Sequence, residues 1–208
     1  MANKVREMRY NKKKKGVFYV KKMIILAFIS SLVILQACNQ KIKNYHIPKG
    51  AHKSEWLPAL VHGNSISIKC QFSEGARYLL HNENQWDTNK LFGFSNSLWQ
   101  NHHKNSARFG WRWNPTIAQV EIIGYTYFNK SRKIQVLDSL SIGERFEGRI
   151  THRKGKYQFE GKNFKWETPA PAAVSGWRWL LFPYFGGDEK APHSMEIKLE
   201  YEVTDLRE

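Results

Sequence analysis

Cysteine is scarce, with only Cys38 and Cys70 in a chain of 208 residues. That excludes a disulfide framework and a four-cysteine zinc site. Helical periodicity is missing too. Past residue 37 no window of a dozen residues repeats at 3.6, which excludes a helical fold. No apolar run reaches the roughly 20 residues that span a bilayer. Acidic residues are outnumbered, 18 against 33 basic ones, for a formal charge of +15. What the chain has instead is aromatic side chains, 14% of residues with 8 Trp. Its length is that of one ordinary domain with appendages.

The charge is unevenly spread. Residues 1–37 hold nine Lys or Arg and one Glu, so +8 of the total lies there and +7 in the remaining 171 residues. This segment ends in a 13-residue apolar run, Met23 to Leu35. Basic residues, a short apolar stretch and then small residues form the layout of a secretory signal. Residues 1–19 exceed what such a signal needs, and Val20-Lys21-Lys22-Met23 is a candidate alternative start. The +7 that remains gives no reason to expect a nucleic-acid partner.

Leu35-Gln36-Ala37-Cys38 resembles the lipobox of bacterial lipoproteins. The resemblance implies cleavage before Cys38, a diacylglycerol on its thiol, and membrane attachment through that lipid. Two or three acyl chains make such an anchor stable. The expected organisation is a signal peptide at 1–37, a lipidated tether at 38–55 and a single domain at 56–208. The tether shows no periodicity and contains Pro48 and Gly50. Surface-export signals of Bacteroidota lipoproteins carry acidic residues soon after the cysteine, and none occurs here before Glu55. The resemblance therefore implies an outer-membrane anchor facing the periplasm rather than the cell surface.

The domain is strand-like throughout. Met195, Ile197, Leu199, Tyr201 and Val203 alternate with Glu196, Lys198, Glu200 and Glu202, a strand with one buried and one solvated face. Alternation recurs over 106–113, 118–128, 143–152 and 157–161, with a shorter apolar run at 133–137. Arg153-Lys154-Gly155-Lys156 is a hairpin turn, with Gly supplying positive φ, and Asn129-Lys130-Ser131 turns another pair. Pro169 to Ala173 reads as a stiff connector, and a short helix is allowed near Ser95 to His103. Cys70 alternates with Ile66, Ile68 and Phe72, as a buried thiol does. Many short strands and no helices predict an all-β antiparallel sandwich of the jelly-roll kind.

One tetrad occurs twice, as Gly110-Trp111-Arg112-Trp113 and Gly176-Trp177-Arg178-Trp179. On a strand each copy puts two Trp on one face and Arg on the other. The Trp side is expected in the core, while Arg108 and Arg112 form a more open row, suited to uronate, sulfate or phosphate groups. Gly110 between them leaves room for a ligand or for a neighbouring side chain. The loop residues Asn101 to Asn105 and the turn-rich Phe182 to His193 supply rim candidates. Candidate ligand-binding residues are Arg108, Arg112, Tyr125, Tyr127, Tyr184 and His193. Catalytic residues, metal and cofactor are each expected as none; adjacent His102 and His103 point opposite ways on a strand and make a poor metal pair.

The segments Lys90 to Ser95, Asn105 to Trp113 and Glu121 to Tyr127 are similar to uncharacterised Bacteroidota lipoproteins. Tyr184-Phe185-Gly186-Gly187 with Ala191-Pro192-His193 resembles concanavalin A-like jelly rolls, which include glucanases and polysaccharide lyases. The glucanases use a Glu-x-Asp-x-Glu strand; here Glu196-Ile197-Lys198-Leu199-Glu200 has Lys in the middle. The lyases use Arg, His and Tyr, for which Arg108, His102, Tyr125 and Tyr127 are the matching types. The leading expectation is a lipid-anchored, noncatalytic sandwich that binds carbohydrate or another anionic ligand. A lyase or hydrolase on the same scaffold and a structural envelope protein are the alternatives. The oligomeric state is left open.

Overall fold

Twelve strands form wherever side chains alternate or a short apolar run is bracketed by turn residues. A computed structural model describes residues 42–54, 58–96, 101–172 and 176–206. The strands are β1 (Lys43–Ile47), β2 (Leu60–His62), β3 (Ser65–Phe72), β4 (Asn89–Ser95), β5 (Ser106–Asn114) and β6 (Gln119–Phe128). They continue as β7 (Ser131–Leu140), β8 (Arg145–Arg153), β9 (Lys156–Gly161), β10 (Lys165–Pro169), β11 (Trp177–Leu181) and β12 (Met195–Thr204). Two six-stranded sheets result: sheet A in the order β1-β12-β3-β8-β9-β10 and sheet B in the order β2-β11-β4-β5-β6-β7. Every named pair is antiparallel. Among the described residues the helical segments are two 3₁₀ turns, Glu74–Ala76 and Asn82–Trp86.

The two turns read from sequence are tight hairpins. Asn129 and Lys130 have φ of 49° and 68°, and Lys154 and Gly155 repeat those values. Positive φ at both central residues gives the twist that two-residue hairpins need; Lys154 shares the left-handed backbone that was assigned to Gly155 alone. Two expectations change. Residues 43–47 are not tether but strand, paired with β12 from Lys43↔Leu199 to Ile47↔Met195. Tyr45 and Ile47 alternate into the core, a signal too short to see against polar neighbours. Nor is there a helix in the described part of 95–103: Ser95 ends β4 and residues 102–104 are a turn. The lipobox and Cys38 lie outside the described residues, as does the stretch 97–100.

Aromatic rings fill the space between the sheets. Phe109 of sheet B meets Phe146 and Phe159 of sheet A edge-on, at 5.2 and 5.3 Å between centroids. Trp111 packs on Phe72 at 5.1 Å and on Tyr78 at 5.9 Å. Such tilted and T-shaped contacts set the electropositive ring edge against an electronegative face. Cys70 is buried in this core, and burial pushes its thiol pKa upward. With Phe109 and Trp111 facing inward, Ser106, Arg108, Gly110 and Arg112 must face outward.

Candidate functional site

Antiparallel register assembles the outward face of sheet B. Arg108 lies opposite Tyr125, which lies opposite Ile134; Ser106 lies opposite Tyr127, which lies opposite Arg132. On the other side of β5, Ser95 faces Ser106 and Gly93 faces Arg108. Two loops stand over this face. Residues 101–105 ahead of β5 are held down by Ser106 Oγ donating to the His102 carbonyl at 2.6 Å and Ser95 Oγ donating to the Asn105 carbonyl at 3.2 Å. That brings His103 edge-on to Tyr127 at 5.2 Å. The β11–β12 connection is fastened by paired backbone hydrogen bonds between Lys90 and Tyr184, at 2.8 and 2.9 Å.

Between these segments Arg108 and Tyr125 form a buried floor, 6% and 4% exposed, and this floor with the residues around it makes up a basin. The Arg108 guanidinium lies over the Tyr125 ring at 5.5 Å. Lys90 Nζ lies over the same ring at 5.4 Å and over Tyr184 at 5.8 Å, and donates to the Gly186 carbonyl at 2.8 Å. His52 stacks behind Tyr184 at 5.1 Å, stiffening that wall. Tyr125 meets the Tyr127 ring at 5.7 Å between centroids, and the Arg132 charge acts on Tyr127.

Charge is the unusual feature. Arg108 is only 6% exposed, and its Nε is buried with no hydrogen-bond partner. None of the ion pairs among the described residues includes Arg108, Lys90 or Arg132. A buried charge without a counter-charge is costly, and the cost shows in the titration of the cluster. Burial pushes Arg108 down to about 10. Burial, then the Arg108 charge, pushes Lys90 down to about 8. His103 is lowered by burial and by the same two cations. Tyr127 is raised, chiefly by burial. Asp87 and Asp188 are near enough to act on Lys90 but make no ion pair with it. The basin is therefore a cluster of cations set against aromatic rings.

Of the residues expected from sequence, Arg108, Tyr125, Tyr127 and Tyr184 come together. Arg112 shares the face but is engaged: its Nε donates to Glu121 Oε2, its Nη1 donates to the Trp86 carbonyl at 3.1 Å, and its guanidinium lies over the Trp86 ring at 5.3 Å. His193 is apart from the basin contacts, its Nε2 bonded to the Gly75 carbonyl at 2.9 Å. The gap over Gly110 is filled by a neighbour, since a Cβ there would lie 2.5 Å from Thr88 Cγ2. His103 adjoins Tyr127, and the His102 ring meets that of His103 at a tilt, 4.2 Å between centroids. Glu196 and Glu200 belong to sheet A and pair with His46 and Arg145, so they form no acid pair in the basin. Among the described residues no group of three His, Cys, Asp or Glu is placed to share a metal ion.

The second tetrad is inverted relative to the first. Trp177 and Trp179 pair with His62 and Leu60 on the outward face, and Trp177 is 56% exposed. Arg178 points inward, 3% exposed, over the Phe94 ring at 5.1 Å and donating to Asn96 Oδ1 at 2.9 Å. The expectation of Trp in the core holds for Trp111 and Trp113 and fails for this pair. Trp177-Arg178-Trp179-Leu180-Leu181-Phe182 has apolar residues in both phases, so alternation cannot choose. Pairing of Leu180 with Phe94 chooses, burying Leu180 and Phe182.

Lys90 and Arg132 were not expected. Arg132 follows from the Asn129-Lys130 turn, since a two-residue loop fixes Arg132 opposite Tyr127. Lys90 has no such signal, because β4 carries an irregularity between Lys90 and Phe92 that resets its phase.

No protein-family model and no curated protein matches the chain. Solved structures do match. Alginate lyase AlyC3 superposes with a TM-score of 0.54 at 10% identity, over 80% of this chain and 76% of that one. Its complex with dimannuronate gives 0.50 at 8% identity, over 81% and 76%. A functionally unknown protein from Saccharomyces cerevisiae gives 0.50 at 9% identity, over 83% and 95%. At such identities the likeness is one of architecture, and by that architecture the chain is an all-β, antiparallel jelly-roll sandwich.

Proposed function

We propose that this protein binds an anionic carbohydrate in the basin on the outward face of sheet B, and that it does so as a lipoprotein anchored through Cys38 to the outer membrane. The observation that carries the binding role is Arg108, buried in the floor with an unpartnered Nε and in none of the ion pairs among the described residues. Arg recognises a carboxylate or sulfate through parallel hydrogen bonds, which are strongest away from water. Tyr127 and Tyr184 supply rings and hydroxyls against which a sugar ring packs, above the buried Tyr125. The similarity to an alginate lyase whose complex contains dimannuronate supports an acidic sugar over a neutral one. A glycan array of acidic and neutral oligosaccharides tests this. Saturable binding confined to acidic glycans and lost in Arg108→Met is expected; binding of neutral glycans alone, or of none, contradicts it.

A second reading is favoured by His103 against Tyr127, 5.2 Å apart in the same basin. The cations would hold the carboxylate of a uronate while neutral His103 or Tyr127 moves a proton, the arrangement a polysaccharide lyase needs. It predicts rising ultraviolet absorbance from an unsaturated product, abolished by Tyr127→Phe. No such product from any uronate polymer leaves the basin as a binding site.

A further inference from the structure

We infer that Lys90 is the proton-exchanging half of a two-cation clamp with Arg108, so that the basin takes up its anionic sugar and a proton together. This rests on the anionic-carbohydrate reading and goes further, because it says which group adjusts when the basin is empty.

The groups that face Lys90 come from every neighbouring element. They are Arg108 on β5, Tyr125 on β6, Arg132 on β7, His103 on the β4–β5 loop, Asp87 before β4, and Tyr184 and Asp188 on the rim loop. Two of these, Arg108 and Arg132, are cations, and none of the ion pairs among the described residues joins Lys90 to either carboxylate. Arg108 and Arg132 thus set like charges against Lys90, offset only in part by Asp87 and Asp188. Arginine cannot relieve this by losing its proton at ordinary pH, whereas an ammonium can.

Lys90 is also built to lose its proton without losing its place. Its Nζ donates to the Gly186 carbonyl at 2.8 Å, and a neutral amine keeps that bond with a single N–H. The backbone of Lys90 is fixed to Tyr184 in both directions, so the side chain starts from a rigid point. The depressed pKa of about 8 agrees with this arrangement. An arriving carboxylate reverses the balance, because an opposite charge within a few ångströms favours the ammonium. The nitrogen then takes a proton from solvent and offers its remaining donors to the ligand.

The test is calorimetry of the whole protein with a saturated oligomannuronate tetramer, at pH 8.5, in buffers of different ionisation enthalpy. With Lys90 titrating near 8 when empty, about 0.7 proton is taken up per ligand at pH 8.5, and affinity falls about tenfold between pH 7 and pH 9. His103, lowered from its ordinary value, stays neutral at that pH and does not contribute. Lys90→Arg keeps the charge and is expected to bind with no buffer dependence and no loss by pH 9. Identical heats in all buffers for the unaltered protein overturn the inference and need no variant; so does undiminished uptake in Lys90→Arg. Absence of binding even at pH 6.5 instead defeats the anionic-carbohydrate reading on which the inference stands.

Discussion

Arg112 and Arg178 hold the same place in two identical tetrads and leave opposite faces of one sheet. Arg112 goes outward to Glu121, and Arg178 goes inward beneath Phe94 to Asn96. The identical flanking Trp residues are thereby sent to opposite environments. Trp111 is fully buried and Trp177 is 56% exposed. Truncating a buried Trp costs about 3–5 kcal/mol, whereas an exposed one changes stability by roughly 0.5 kcal/mol or less. Chemical denaturation of Trp111→Ala and Trp177→Ala checks this, and equal losses would contradict the assigned register.

That contrast marks how far the sequence was legible. The β12 alternation from Met195 to Val203 specifies its strand because only one phase is apolar. The outward direction of Arg108 was legible for the same reason, since it stands opposite the phase of Phe109 and Trp111 on β5; Tyr125 and Tyr127 were singled out by residue type alone. The second tetrad was not, since both phases are apolar and a one-residue shift exchanges the faces. The early strand Lys43–Ile47 contributes two inward residues, too few to stand out from a linker. Lys90 became part of the site through a break in strand register and a rim loop that docks from about a hundred residues away, and neither feature is periodic.

The pairing of Arg112 with Glu121 ties it into the fold. Both are largely buried, and Asn114 Nδ2 also donates to Glu121 Oε1 at 2.8 Å. Arg112→Ala is expected to cost roughly 2–3 kcal/mol by stranding the Glu121 carboxylate, with much of the loss recovered by adding Glu121→Leu. Glycan affinity is expected to stay within about threefold. A large affinity loss with no loss of stability would place Arg112 in the binding site.

His152 gives the fold an acid limit. It is 1% exposed, with Nδ1 bonded to Asn96 at 3.0 Å and Nε2 to the Pro171 carbonyl at 2.7 Å. Burial chiefly, with the Arg178 charge adding to it and the Pro171 bond opposing it, pushes its pKa down to about 4. The unfolded chain protonates His152 near pH 6.5, before the folded protein does. Stability from this group is therefore complete above about 6.5 and lost as pH falls toward 4, a change of roughly 3 kcal/mol. Denaturation midpoints between pH 7 and pH 4 measure it, and His152→Gln is expected to flatten that part of the curve.

Anchoring has a geometric consequence. With β1 starting at Lys43, only residues 39–42 separate the lipidation candidate Cys38 from the sandwich. Even fully extended, that stretch reaches under about 20 Å, so a lipid on Cys38 would keep the sheet A edge close to the headgroups. Cys38→Ala is expected to move the protein from the membrane fraction to the soluble one and to abolish incorporation of labelled fatty acid. Retention in the membrane fraction would contradict the lipoprotein assignment.

The central claim is that Arg108 lies in the basin floor to receive an anion. Calorimetric titration of the unaltered protein and of Arg108→Met with an acidic oligosaccharide, at pH 6.5 where Lys90 is charged, addresses it most directly. Losing one partner of a desolvated charge pair costs about 2–5 kcal/mol, so the variant is expected to bind some thirtyfold or more weaker while remaining folded. Equal affinity in the two proteins would contradict the account.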